Sequence, residues 1–314
     1  MQNLFLALSV GQNVALSVFV MFLLMSIGFF LAKKNILTSV GVKQMSELVL
    51  RVVVPCVIIN AYQRDFNIAL AKSLLMGVIF AIIFHTIQIV VSPLIFRPRE
   101  DKKDRVAIFS SVYSNCGFMA FPLIEALYGT EGVFFSVAYL TVFNVLHWTH
   151  GVYIYTKDIK QLSIKRAFFT PGVLGTLTGL LLFVFGITLP SPISRTLSFM
   201  ASLNTPLPMI ILGTYLTNIN IKKVIKDGYL WIVSLMRLLV YPIIAIIVAK
   251  LMNLEGTLAM SLILAASCPI ATVTTLFAVR FDVQSEYASE GVSFSTILSI
   301  ITIPLVMVMA TLIL

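Results

Sequence analysis

The sequence predicts an all-α integral membrane protein of ten transmembrane helices arranged as two inverted five-helix repeats. Three observations carry that expectation: a composition suited to lipid, basic residues concentrated in alternate loops, and a helix-breaking cluster in the fourth apolar run of each half.

Of the 314 residues, 59% are hydrophobic and only 11% are charged, and the mean hydropathy is +1.01. Soluble domains carry about 25% charged residues, so lipid is the expected solvent for most of this chain. A spanning helix takes about 20 mostly apolar residues, which leaves room for ten spans and for no separate soluble domain. The apolar runs fall at residues 13–32, 46–63, 70–96, 106–127 and 132–155, then at 170–189, 199–219, 229–250, 257–279 and 291–313. They divide the chain into a first five-helix repeat, 1–155, a short linker, 156–169, and a second repeat, 170–314. The stretch before the first run has neither a basic start nor a small-residue cleavage pattern, so the first span is expected to be retained.

Sixteen basic residues fall in odd-numbered loops: Lys33, Lys34, Lys43, Arg97, Arg99, Lys102, Lys103, Arg105, Lys157, Lys160, Lys165, Arg166, Lys222, Lys223, Lys226 and Arg280. The even-numbered loops hold Arg64, Lys72, Arg195 and Lys250. Lys and Arg collect on the cytoplasmic side, so both termini are expected on the outer side of a cytoplasmic membrane. The same rule accounts for the formal charge of +9 without a nucleic-acid partner. Arg51 and Arg237 lie inside spans two and eight. Each is expected to snorkel to the inner interface, with guidance of an anion through the inner vestibule as the alternative.

Five spans per half is an odd number, so the second copy must enter the membrane upside down, an arrangement typical of secondary transporters. Pro55 and Tyr62 in span two share their spacing with Pro208 and Tyr215 in span seven. Span four is interrupted at Ser114-Asn115-Cys116-Gly117 and at Pro122, and span nine at Ser267-Cys268-Pro269-Ile270-Ala271-Thr272. Proline removes a backbone donor and glycine weakens a helix. Freed backbone groups at membrane depth are tolerated only where they are buried in protein or line a polar cavity. Helix starts after the breaks would present N–H groups to a small anion, and Asn115 would add a directed amide. The expected substrate site is therefore Ser114, Asn115, Cys116, Gly117, Pro122, Ser267, Cys268, Pro269, Ala271 and Thr272.

No acidic residue falls at the middle of a predicted span, which favours an anion over a cation as cargo. His85 in span three, and His147 with Asn144 in span five, are candidates for proton coupling or for support of the site. His150 lies three residues beyond His147, and a hydrogen-bonded packing cluster is the plainer account of that group. The three cysteines, Cys56, Cys116 and Cys268, read as packing residues without a disulfide. No metal-ligand or paired-carboxylate motif is present, so no cofactor, no metal and no enzymatic activity are expected.

The string Ser114 to Leu123, with Asn115, Gly117, Phe118 and Pro122 as its most specific positions and Cys268-Pro269 as its looser partner, resembles the auxin efflux carrier family. The short loop from Thr156 to Arg166 is similar to that of bacterial members. The resemblance covers nearly the whole chain. It implies a fold like that of sodium/proton antiporters and bile-acid carriers, in which spans four and nine cross within a core of spans 3, 4, 5, 8, 9 and 10. Spans 1, 2, 6 and 7 would form a scaffold through which members often dimerise. It further implies alternating-access transport of a small mono- or dicarboxylate, with Asn115, Gly117, Pro122, Cys268 and Pro269 at the crossover. A cation-coupled exchanger of the same fold is one alternative, and a membrane-embedded ligand sensor or partner subunit is another.

Overall fold

The computed structural model describes residues 2–96, 102–162 and 164–314. Arg97 and Arg99 of the third loop lie outside the described residues, as does the side chain of Arg166. The described chain is helical almost throughout, and no named strand occurs among its residues. The first half comprises α1 (Gln2–Lys33), α2 (Ser39–Leu48), α3 (Val54–Ala61), α4 (Ile68–Ile95), α5 (Lys102–Val112), α6 (Phe121–Leu146) and α7 (Val152–Thr156). After the short α8 (Ile164–Phe168), the second half runs through α9 (Pro171–Val184), α10 (Ser191–Ser202), α11 (Pro206–Tyr215), α12 (Ile221–Lys226) and α13 (Gly228–Leu235). It ends with α14 (Tyr241–Leu251), α15 (Gly256–Ser267), α16 (Val273–Arg280) and α17 (Ser285–Ile313). Single π turns at Val49–Val53, Cys116–Ala120, His147–Gly151 and Met236–Val240 sit within or lead into these helices.

Among the described residues, six helical runs are long and apolar enough to cross a membrane: Leu4–Lys33, Ile68–Ile95, Cys116–Thr156, Ser191–Tyr215, Gly228–Leu251 and Ser285–Ile313. Pro171–Val184 and Gly256–Ser267 are shorter apolar helices. The run Cys116–Thr156 takes in one predicted span and part of another. Gly129 separates them, because its φ of 60° and ψ of −158° interrupt α6. Several boundaries differ from expectation. The second apolar run is preceded by helix from Ser39, whose start is capped by Thr38 accepting from the Gly41 amide. The seventh begins at Ser191 and bends between α10 and α11, where Pro206 opens the second limb.

Local chemistry explains the other starts. Asn67 caps α4 by accepting from the Ala69 amide at 2.8 Å, and Thr170 caps α9 just ahead of Pro171. Asp227 accepts from the amides of Tyr229 and Leu230 at the start of α13. Such caps satisfy donors that a helix start leaves free.

Small residues set the closest helix contacts. A Cβ on Gly28 of α1 would lie 2.0 Å from the Ile210 carbonyl oxygen, and one on Gly213 of α11 would lie 1.9 Å from that of Met25. The two backbones therefore touch, as small residues allow between helices that gain nothing by hiding from lipid. Gly175 and Gly179 likewise bring α9 against Pro55 and Tyr62 of the α3 segment.

The odd-numbered connections meet one another. Lys102 donates to the Asp282 carbonyl, Arg105 to that of Tyr155, and Lys103 pairs with Asp227. Lys223 pairs with Glu286 and Glu290. At the even-numbered connections, Gln63 accepts from the Leu189 amide, and Lys250 donates to the carbonyl of Ile313 near the C-terminus. A cavity of about 490 Å³ opens among Asn67, Lys72, Glu131, Asn253 and Glu255, all from even-numbered connections or their edges.

Candidate functional site

Two breaks in the helical ladder carry the site. Between α5 and the π turn at Cys116, residues Tyr113 to Asn115 are extended or irregular. Between α15 and α16 the same is true of Cys268 to Ala271, with Cys268 at φ −65° and ψ 152°. The sequence explains both: Pro269 cannot donate to the turn before it and disfavours helix at Cys268, and Gly117 lowers the helical propensity of the first break.

The two opened backbones satisfy each other. Ser114 and Ile270 form an isolated antiparallel bridge. The Asn115 amide donates to the Pro269 carbonyl at 2.8 Å, and the Ala271 amide donates to the Tyr113 carbonyl at 3.0 Å. The Ile270 amide is taken by Ser295 Oγ of α17 at 3.1 Å. This small cross-brace places Ser114, Asn115, Pro269 and Ala271 side by side, although more than 150 residues separate them in the chain.

The remaining predicted site residues divide into those that face the crossing and those turned from it. Asn115 is buried, and its Nδ2 has no hydrogen-bond partner among the described residues. Ser114 Oγ donates to the Tyr139 hydroxyl at 3.3 Å. Cys116 and Cys268 are buried free thiols. A Cβ on Gly117 would meet only Leu140 Cδ1, at 3.7 Å, so the backbone there has room beside it. Thr272 stands at the start of α16 without a side-chain cap of that helix. Pro122 is buried in the first turn of α6. Ser267 is turned away: its hydroxyl donates to the Ile263 carbonyl of its own helix.

The histidines separate. His85 Nδ1 donates to the Ala81 carbonyl at 2.8 Å, its ring lies tilted 4.8 Å from that of Tyr139, and its Nε2 has no hydrogen-bond partner among the described residues. Gln88, one turn along α4, is fully buried, and both its amide atoms are unpartnered among the described residues. His147 sits among Phe143, Trp148 and Phe277, and the Asn144 amide approaches Gly172 of α9. Neither reaches the crossing. His150 does, through a 3.0 Å contact between Nδ1 and the Tyr113 hydroxyl.

Arg237 was missed as a part of this site. Its expected snorkelling is overturned, because the side chain is fully buried and points inward. Nη1 donates to the carbonyls of Ser111 and Val112 at 3.1 and 2.9 Å, and Nη2 donates to that of Ala266. Arg51, by contrast, is exposed and pairs with Glu47 one turn away at 3.1 Å. The hint in the sequence was the run of apolar residues on both sides of Arg237 with Pro242 close behind. Tyr139, Tyr241 and Ser111 carried no such hint. Tyr241 joins the network by a 2.5 Å contact between its hydroxyl and Ser92 Oγ, which also accepts from Ser111 at 2.9 Å.

The chain matches the model of a membrane transport protein family over residues 13–161 and 155–307. It is similar to an uncharacterized transporter of Methanothermobacter thermautotrophicus, at 27% identity over 300 residues that cover 94% of this chain and 97% of that protein. It is also similar to the uncharacterized transporter MJ1031 of Methanocaldococcus jannaschii, at 24% identity across 92% of this chain and 96% of the relative. The family match spans nearly the whole length on both sides of the linker, and it includes both broken segments. The chain therefore belongs to the membrane transport protein family, that of the auxin efflux carriers.

Proposed function

We propose that the chain is a secondary transporter that moves a small organic anion, a mono- or dicarboxylate, across the cytoplasmic membrane by alternating access. The observation that carries this reading is Asn115, a buried amide at the meeting point of two broken helices whose Nδ2 lacks a partner among the described residues. An amide N–H donates well to a carboxylate. Helix starts add roughly half a positive charge each, here from the run beginning at Cys116 and from α16. Ser114, Cys116, Gly117, Pro122, Cys268, Pro269, Ala271 and Thr272 complete the site in this reading, with Ser267 behind them. His85 serves as its support.

Ten spans in two inverted repeats, 1–155 and 170–314, belong to the same reading. It is supported by the paired breaks and by the gathering of odd-numbered, basic connections on one another. Basic loops favour the cytoplasmic side, which would leave both termini outside. Spans 1, 2, 6 and 7 would form the scaffold and the dimer contact, a division supported by the close packing of α1 on α11 and of α3 on α9.

Uptake of labelled lactate and malonate into proteoliposomes holding only this protein, under imposed pH, Na⁺ or voltage gradients, tests the reading. Carboxylate uptake is expected, lowered about tenfold or more by Asn115→Ala, since a hydrogen bond to a charged group contributes about 1.5–3 kcal/mol. Binding without uptake would make the chain a sensor instead. Equal uptake by the variant would remove Asn115 from the site.

A further inference from the structure

Among the described residues, Arg237 is the charged side chain whose hydrogen bonds reach the breaks, and burying it is costly unless something balances it. No carboxylate pairs with it among the described residues. Its partners are instead carbonyls at two helix ends: Ser111 and Val112 close α5, and Ala266 lies one residue from the end of α15. Each helix end carries roughly half a negative charge, so two of them together offset about one guanidinium. The two helix starts that face them across the breaks, at Cys116 and at Val273, are then left with about one positive charge between them. Arg237 Nε and Asn115 Nδ2 are both buried and without hydrogen-bond partners among the described residues.

We propose that Arg237 is the fixed counter-charge of the crossing, and that it makes the site select a substrate with one net negative charge. A monocarboxylate balances the crossing, a neutral analogue leaves it positive, and a dianion makes it negative. A dicarboxylate is accordingly taken up as its half-protonated form. The inference rests on the anion reading above and narrows it.

The test compares lactate, malonate and the neutral lactamide as thermal stabilisers of the purified chain, of Arg237→Gln and of Arg237→Lys. Gln keeps donors for the carbonyls but removes the charge, whereas Lys keeps the charge but loses the fork. Lactate is expected to stabilise the unaltered chain and lactamide is not, while malonate binds more tightly as pH falls through its second dissociation. Arg237→Gln is expected to weaken lactate at least tenfold and to lose the preference for lactate over lactamide; Arg237→Lys keeps that preference. A role confined to holding the carbonyls would lower stability in both variants and leave the preference unchanged. Unaltered lactate affinity in Arg237→Gln, or malonate binding that is flat with pH, overturns the counter-charge alone. If the Gln variant does not fold, loss of the preference in a folded Arg237→Lys overturns it as well. Failure of every carboxylate to bind the unaltered chain overturns the anion reading, and the counter-charge with it.

Discussion

Ser114 and Ile270 lie opposite each other in a two-rung antiparallel bridge formed where two largely helical segments turn extended. Through the bridge, the amides of Asn115 and Ala271 find carbonyl partners inside an apolar protein, each break accepting from the other.

Ala271→Pro removes the amide that donates to Tyr113 and leaves that buried carbonyl without its partner. A loss of about 1–3 kcal/mol is expected, read as a lowered melting temperature in detergent together with lost substrate response. Ala271→Gly, which keeps the amide, should fall much less.

Gly28→Ala and Gly213→Ala place a methyl group about where the facing helix has a carbonyl oxygen. Forced separation of well-packed elements costs about 1–3 kcal/mol. Thermal unfolding of each variant should show the loss, and the double variant should lose less than the sum, because one displacement of α1 from α11 relieves both clashes. Gly117→Ala meets no atom closer than 3.7 Å, so its melting temperature should hold while substrate affinity drops.

Gly129→Ala tests backbone strain without a clash. A Cβ there meets nothing within 4 Å, yet φ is +60°. A side chain in that conformation costs about 1–3 kcal/mol, and the loss should appear in unfolding while the site residues are untouched.

Tyr113→Phe removes the hydroxyl that donates to the Leu146 carbonyl and contacts His150. A cost of about 0.5–1.5 kcal/mol follows from the lost bond, and the His150 resonance in a ring-labelled NMR sample should shift. An unmoved resonance would dissociate His150 from the crossing.

Lys223 is held above the ordinary lysine range, first by hydrogen bonds to Glu286 and Glu290. A raised folded-state value stabilises fully below the ordinary lysine pKa and is lost as pH rises through the raised one. Exposure keeps the effect small. Lys223→Met should therefore cost a little stability at neutral pH, and its difference from the unaltered chain should vanish only in strongly alkaline buffer.

Much of this protein was legible in its sequence because hydropathy, loop charge and proline report local energetics. The apolar runs at 13–32, 70–96 and 291–313 predicted helices whatever their neighbours, and the helices found there extend over Gln2–Lys33, Ile68–Ile95 and Ser285–Ile313; Pro269 and Gly117 marked the breaks because their effects act on their own turn. Legibility ended where partners come from distant segments. His147 and His150 sit three residues apart, yet only His150 meets Tyr113, since neighbouring turns of the helix aim them at different elements. The hydroxyl of Ser267, expected at the site, bonds back to its own helix, which its place beside Cys268 does not announce.

Arg237 marks the division most clearly. By itself the sequence determined that a cation lies within an apolar run and that two helices break at Asn115 and Pro269. Only the tertiary structure decided that this cation turns inward to the carbonyls of both broken helices. A guanidinium in an apolar helix can reach water by extending its stem or can be satisfied by carbonyls freed elsewhere, and that choice depends on whether two remote helix ends converge beside it.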